Sequence, residues 1–181
     1  MFLIILGVMT SLSLPPFNYF IINFFTFTLL FMFLLKKSKQ HKNTKLFFIY
    51  GWLFGFGYFF TNLYWISISL TFDHNYKFLI PITVILIPSF LAMFYGFISY
   101  FFIILKFKKT ISSFLTFSLI FGAFEFIRGS ILTGFPWNLI AYSFSNILEI
   151  ISITSLIGTY GFNLFCISLF ASPAIFILRE T

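Results

Sequence analysis

Glu125 and Arg128 stand three residues apart inside an apolar run, and no other pair in this chain has as much chemical potential. On a helix that spacing puts both side chains on one face, where they can form an ion pair. An ionisable group in a hydrocarbon setting is a functional candidate by default, because leaving it unpaired costs several kcal/mol or more. The same pair could equally be a clamp that holds the start of the following loop, and the residues weigh the two readings evenly. That loop is the least random part of the sequence and reads Arg128-Gly129-Ser130-Ile131-Leu132-Thr133-Gly134-Phe135-Pro136-Trp137-Asn138-Leu139. Gly134 permits a tight turn, while Pro136 fixes its own φ and pushes Phe135 toward an extended conformation. Phe135 and Trp137 can then sit among lipid headgroups, with Asn138 and Arg128 free to meet polar groups such as a phosphate. Glu125, Arg128, Trp137 and Asn138 are therefore the candidate lipid- or domain-facing residues.

The remaining reactive side chains point to less. Cys166 lies inside an apolar run without a His or Lys beside it, so it lacks the neighbour that would make it a nucleophile and reads as a packing residue. His41 and His74 stand singly in polar gaps, which supplies no zinc or iron ligand set. No metal, cofactor or catalytic residue is expected on these grounds.

The elements that must position the pair follow from composition. Of 181 residues, 60% are hydrophobic, 25% aromatic and only 8% charged, with 33 Phe. Mean hydropathy is +1.05, leaving too little polar surface to cover a water-soluble globule. A soluble enzyme, a disordered chain and a nucleic-acid binder are excluded together. The net charge of +7 reads as membrane topology, since the basic residues fill short gaps between apolar runs.

A spanning helix needs about 20 apolar residues. Six segments qualify as candidates: 2–14, which is short and ends at Pro15-Pro16, then 19–35, 46–70, 78–105 with Pro81 and Pro88 inside it, 110–127, and 147–178. The first has no basic leader and no small-residue cleavage site, so it reads as a retained segment rather than a signal peptide. Lys36, Lys37, Lys39, Lys42 and Lys45 fall on the same side as Lys106, Lys108, Lys109 and Arg179, against Lys77 and Arg128 on the other. The positive-inside bias then puts both termini in the cytoplasm. The expected fold is an all-α polytopic helical membrane bundle of about six transmembrane helices, because only helices or closed barrels satisfy the backbone in lipid and the runs are too long for barrel strands.

Polar and small residues fall in stripes on three of these segments. Gly51, Gly55, Tyr58, Asn62, Trp65 and Ser69 recur at helical spacing. Gly51 and Gly55 would let another helix approach closely, and Asn62 could hydrogen-bond across that contact. Ser118, Gly122, Glu125 and Gly129 form a second stripe, and Ser152, Ser155, Thr159 and Asn163 a third. Glu149, near the start of the last segment, suits the positive end of a helix dipole.

Four passages together resemble the membrane half of apolipoprotein N-acyltransferase. They are Leu14-Pro15-Pro16-Phe17; Gly55-Phe56-Gly57-Tyr58-Phe59 running into Leu63-Tyr64-Trp65-Ile66; Glu125-Phe126-Ile127-Arg128-Gly129 leading to Thr133-Gly134-Phe135-Pro136-Trp137-Asn138; and Ile157-Gly158-Thr159-Tyr160-Gly161. Their order and the Thr-Gly-Phe-Pro-Trp core carry the resemblance over essentially the whole chain.

The resemblance implies transfer of a fatty acyl group from a phospholipid to the N-terminal S-diacylglyceryl-cysteine of lipoproteins, in the bacterial inner membrane. The family's chemistry is similar to that of nitrilases, with a Glu-Lys-Cys triad in an extracytoplasmic domain and a thioester acyl-enzyme. Residues 1–181 read as a single transmembrane domain without that nitrilase-like domain, so no catalytic residue is carried over. The expected chain is a fragment that needs a separate nitrilase-like chain for activity. Its implied partners are the phospholipid acyl donor and the diacylglyceryl apolipoprotein. The alternative is a small non-catalytic multi-span transporter or scaffold, favoured by the polar stripes but opposed by the lack of an internal repeat.

Overall fold

A computed structural model describes residues 1–40, 43–72, 74–105, 107–131 and 136–178, and every regular element among them is helical. The long elements are α2 (Ile21–Gln40), α3 (Thr44–Leu63), α4 (Ile80–Leu105), α5 (Thr110–Ser130) and α7 (Thr154–Ala171). Five helical stretches built on these are long and apolar enough to cross a membrane. The chain is a multi-pass helical membrane protein.

The first expected span resolves differently. Its helix, α1 (Phe2–Ser11), has 10 residues, about 15 Å at 1.5 Å per residue, which is half of a hydrocarbon core. Ser11 and Ser13 turn their hydroxyls back onto the backbone carbonyls of Val8 and Thr10, and Pro15-Pro16 follows. Of the expected six segments, five reach spanning length and α1 instead packs against α3. The third segment also changes character, because α3 ends at Leu63 and continues as a 3₁₀ helix over Tyr64–Thr71. In contrast, α4 runs unbroken through Pro88. Pro81 falls in its first turn, where the missing N–H would have no helical partner anyway.

Apolar attraction gains little where lipid is as apolar as the side chains, so packing itself must hold the helices together. Aromatic rings do much of it. Phe27 of α2 is fully buried and meets Phe54 of α3, Phe121 of α5 and Phe170 of α7, with ring centroids 5.4–6.3 Å apart. One turn along, Phe31 meets Phe102 of α4 and Phe114 and Phe117 of α5. Thus α2 is the central post of the bundle.

Two close approaches set the position of α3. A Cβ on Gly51 would collide with the backbone carbonyl of Tyr95, so α3 and α4 meet backbone to backbone there. On the opposite side a Cβ on Gly57 would strike the carbonyl of Ile4 in α1. The glycine face expected from spacing is therefore a helix contact. Asn62, however, donates to the carbonyl of Tyr58 in its own helix at 3.0 Å and does not bridge to a neighbour. The Thr61 hydroxyl donates to the same carbonyl at 3.3 Å, so both side chains fold back onto the last turn of α3.

The last expected span is also not one continuous helix. After α6 (Leu148–Ile151) the chain enters α7, which kinks at Gly158 with φ 74° and ψ 161°, and closes with α8 (Pro173–Ile177). The kink breaks the expected polar stripe. Ser152 and Ser155 are exposed and bond to local carbonyls, while Asn163 is buried beyond the kink.

Overpacking a backbone contact typically costs about 1–3 kcal/mol. Gly51→Ala is expected to lower thermal stability in micelles by that order. Gly161→Ala, whose Cβ would meet only its own helix's Ile157 at 3.6 Å, should be neutral or stabilising. Equal melting temperatures for the two variants would count against the α3–α4 contact.

Candidate functional site

The Glu125–Arg128 pair forms in the last turns of α5, as the spacing requires, with Arg128 Nη2 donating to Glu125 Oε2. Both residues are 1% exposed, so the pair faces into the bundle. The guanidinium makes further contacts at once. Arg128 Nη1 donates to the backbone carbonyl of Trp137 at 3.0 Å, and the cation lies over the Phe59 ring at 5.3 Å. An ammonium could not serve a carboxylate, a carbonyl and an aromatic face together in this fixed fork geometry. Glu125 thus neutralises a cation whose other hand holds the returning loop.

Two more side chains grip the same segment. The Tyr58 hydroxyl of α3 donates to the carbonyl of Asn138 at 2.7 Å, and Asn163 Oδ1 of α7 accepts from the backbone N–H of Ala141 at 3.0 Å. Residues 137–141 are therefore tied to α5, α3 and α7 by one backbone contact each. Asn138 adopts a left-handed conformation with φ 59°, which Asn tolerates better than most residues. Beyond it the chain forms a short 3₁₀ helix, Ile140–Phe144, packed into the core.

Gly129 completes the seat. A side chain there would strike the Tyr160 hydroxyl just past the α7 kink, and Tyr160 packs edge-on against Phe126 at 5.2 Å. On the outside, Trp137 stacks on Trp65 with centroids 5.5 Å apart and planes 26° from parallel. Trp137 remains 50% exposed and Asn138 is half-buried. Of the four candidate residues, Trp137 and Asn138 reach the surface, while Glu125 and Arg128 sit beneath and hold them. Thr133, Gly134 and Phe135, with the turn expected at Gly134, lie outside the described residues.

Next to this stack opens a cleft of about 420 Å³, lined among others by Leu14, Pro15, Asn62, Trp65, Asn138 and Tyr142. Its walls come from the α1–α2 loop, the end of α3 and the loop after α5. Three of the four distinctive sequence passages thus border one cleft, and the fourth supports it through Tyr160. Burial pushes the Tyr142 hydroxyl above its ordinary range, so it stays a neutral hydrogen-bonding group at physiological pH. The arrangement can bind an amphiphile through rings, an amide and a hydroxyl. Cys166 does not line the cleft and is fully buried in α7.

The gripping roles of Tyr58 and Asn163 were carried by the polar stripes, although nothing in the spacing names their partners. Phe59 had no signal, being one Phe among 33. Asn23 had one that reasoning from the sequence passed over: it is an amide within the apolar stretch 19–35, and it is fully buried.

The Apolipoprotein N-acyltransferase N-terminal domain matches residues 6–172. The apolipoprotein N-acyltransferase of Rhizobium rhizogenes is 32% identical over 184 residues, covering 98% of this chain and 34% of that protein. That of Rhodopseudomonas palustris is 32% identical over 174 residues, covering 94% and 32% respectively. That of Brucella melitensis is 31% identical over 175 residues, covering 93% and 33%. The chain spans about a third of the length of the curated relatives it matches.

Removing one member of a buried ion pair typically costs about 3–5 kcal/mol, because the partner's charge is stranded. Arg128→Leu and Glu125→Leu should each destabilise on that scale in micelle unfolding. The double variant should lose less than the sum of the two. Strict additivity would show that the pair does not interact.

Proposed function

The chain belongs to the apolipoprotein N-acyltransferase family, and from that premise we propose that it forms the membrane half of such an enzyme, the platform on which a phospholipid acyl group is moved to the amino group of a diacylglyceryl-cysteine. The observation that carries this reading is the assembly of the distinctive passages around one cleft at one end of the bundle. Chemistry is supplied by a nitrilase-like Glu-Lys-Cys domain, on this polypeptide or another. Its thiolate attacks the donor ester, forming a thioester and releasing a lysophospholipid. The lipoprotein's α-amine then attacks the thioester, an amide forms, and the thiol is restored.

In this division of labour Trp137 and Asn138 face the lipid or the docked domain, and Glu125 and Arg128 fix their position from below. A rigid aromatic stack at headgroup level suits substrates that arrive by lateral diffusion, since Trp rings prefer the interface. The bacterial inner membrane is the proposed location, with both termini cytoplasmic. The lysine distribution supports this orientation. So does the groove at the far end, where Phe2 and Leu178 lie beside Lys36 and Lys39, bringing the first and last described helices to one side. The cleft then opens on the extracytoplasmic side, where lipoprotein substrates present their N-terminal cysteines.

The test is reconstitution of this chain with a nitrilase-like domain in vesicles, reading transfer of a labelled acyl chain from phospholipid to a diacylglyceryl lipopeptide. Transfer should require both components. Trp137→Ala should lower the rate about tenfold or more, the scale of losing one aromatic anchor, while leaving the helical fold intact by circular dichroism. Full activity without this chain, or an unchanged rate with Trp137→Ala, would overturn the respective claim.

A further inference from the structure

A second groove, of about 480 Å³, opens at the opposite end of the bundle from the cleft, between α1, α2 and the end of α8. Its floor includes Leu29 and Met32 of α2, its sides Phe2 and Leu178, and its rim Lys36 and Lys39. We propose that this groove is a binding site for one anionic phospholipid, with an acyl chain laid along α2 and the phosphate held between Lys36 and Lys39. The site is separate from the cleft beside Trp137 and does not depend on the enzymatic reading.

The sequence writes an amphiphile's outline onto a single helical stripe. Leu29, Met32, Lys36 and Lys39 follow each other at steps of three, four and three, so they share one face of α2. From Leu29 to Lys39 the stripe runs about 15 Å, half of a hydrocarbon core about 30 Å thick and therefore the depth of one leaflet. Two apolar positions lie at acyl depth and two cations at headgroup depth.

The helices explain why the stripe is open. The short α1 begins at Phe2, whose ring lies 5.9 Å from that of Phe33, so α1 flanks the groove through that one ring. On the other flank Leu178 marks the end of α8. Lys36 and Lys39 are both exposed, whereas Lys37 between them donates to Gln40. Neither described carboxylate competes for the cations: Glu125 is paired with Arg128 at the other end of the bundle, and Glu149 precedes α7. An apolar groove in a bilayer fills with an acyl chain, and paired cations at its mouth favour a headgroup whose phosphate charge is not cancelled by its own amine.

The full chain in nanodiscs of equal parts phosphatidylglycerol and phosphatidylcholine provides the test, with retained lipid identified by native mass spectrometry. The wild type should retain phosphatidylglycerol over phosphatidylcholine by about tenfold or more, since each basic group near the surface contributes several-fold. Lys36→Gln/Lys39→Gln should abolish that preference, and Lys37→Gln should keep it. Excess inorganic phosphate should not displace the lipid, because the acyl seat has no free-phosphate counterpart. Equal retention of the two lipids by the wild type would overturn the proposal, whether or not the double variant folds. An unchanged preference in a folded double variant, or displacement by phosphate, would overturn it as well.

Discussion

A guanidinium inside a lipid-embedded bundle must be satisfied by the protein itself, and the loop end of this structure is organised around that requirement. Arg128 divides its donors between Glu125 on its own helix and the carbonyl of Trp137 on the returning loop, with Phe59 beneath its face. The neutral pair can be buried where either charge alone could not, and its second contact turns a desolvation problem into a tether. Remove the carboxylate and the cation is stranded; remove the cation and the loop loses its anchor.

Everything that lets the tether work comes from how closely the helices stand. The glycine contacts of α3 with α4 and α1 fix the height at which Tyr58, Phe59 and Trp65 appear. Tyr58 then reaches the carbonyl of Asn138, and Trp65 supplies the partner ring for Trp137. The break at Gly158 lets α7 bring Tyr160 over Gly129 and Asn163 under Ala141. In the proposed enzyme this rigidity has a use: a surface shared by two lipids and a catalytic domain holds its geometry only if its support is made of locked side chains.

Much of this was legible in the sequence. Composition alone dictated a helical membrane protein, and spacing paired Glu125 with Arg128 and gave α3 a glycine face. What spacing could not supply was direction and distance. It left Arg128 facing lipid or domain when its side chain turns inward, because the carbonyl of Trp137 lies nine residues away through a loop that no periodicity describes. It gave Asn62 a neighbouring helix when its amide bonds back to the Tyr58 carbonyl one turn earlier in its own helix. It read the stretch 147–178 as one span because hydropathy is blind to the backbone of Gly158, and it read 2–14 as a span because apolarity, not length, dominates there.

Hydrogen exchange along residues 139–144, read by mass spectrometry in micelles, tests the tether most directly. In the wild type the Ala141 amide, bonded to buried Asn163, should exchange slowly. In Glu125→Gln, which keeps the size of the side chain but removes its charge, the segment should exchange faster while α2 and α4 stay protected. Unchanged protection of 139–144 in that variant would contradict the claim that the ion pair holds the loop.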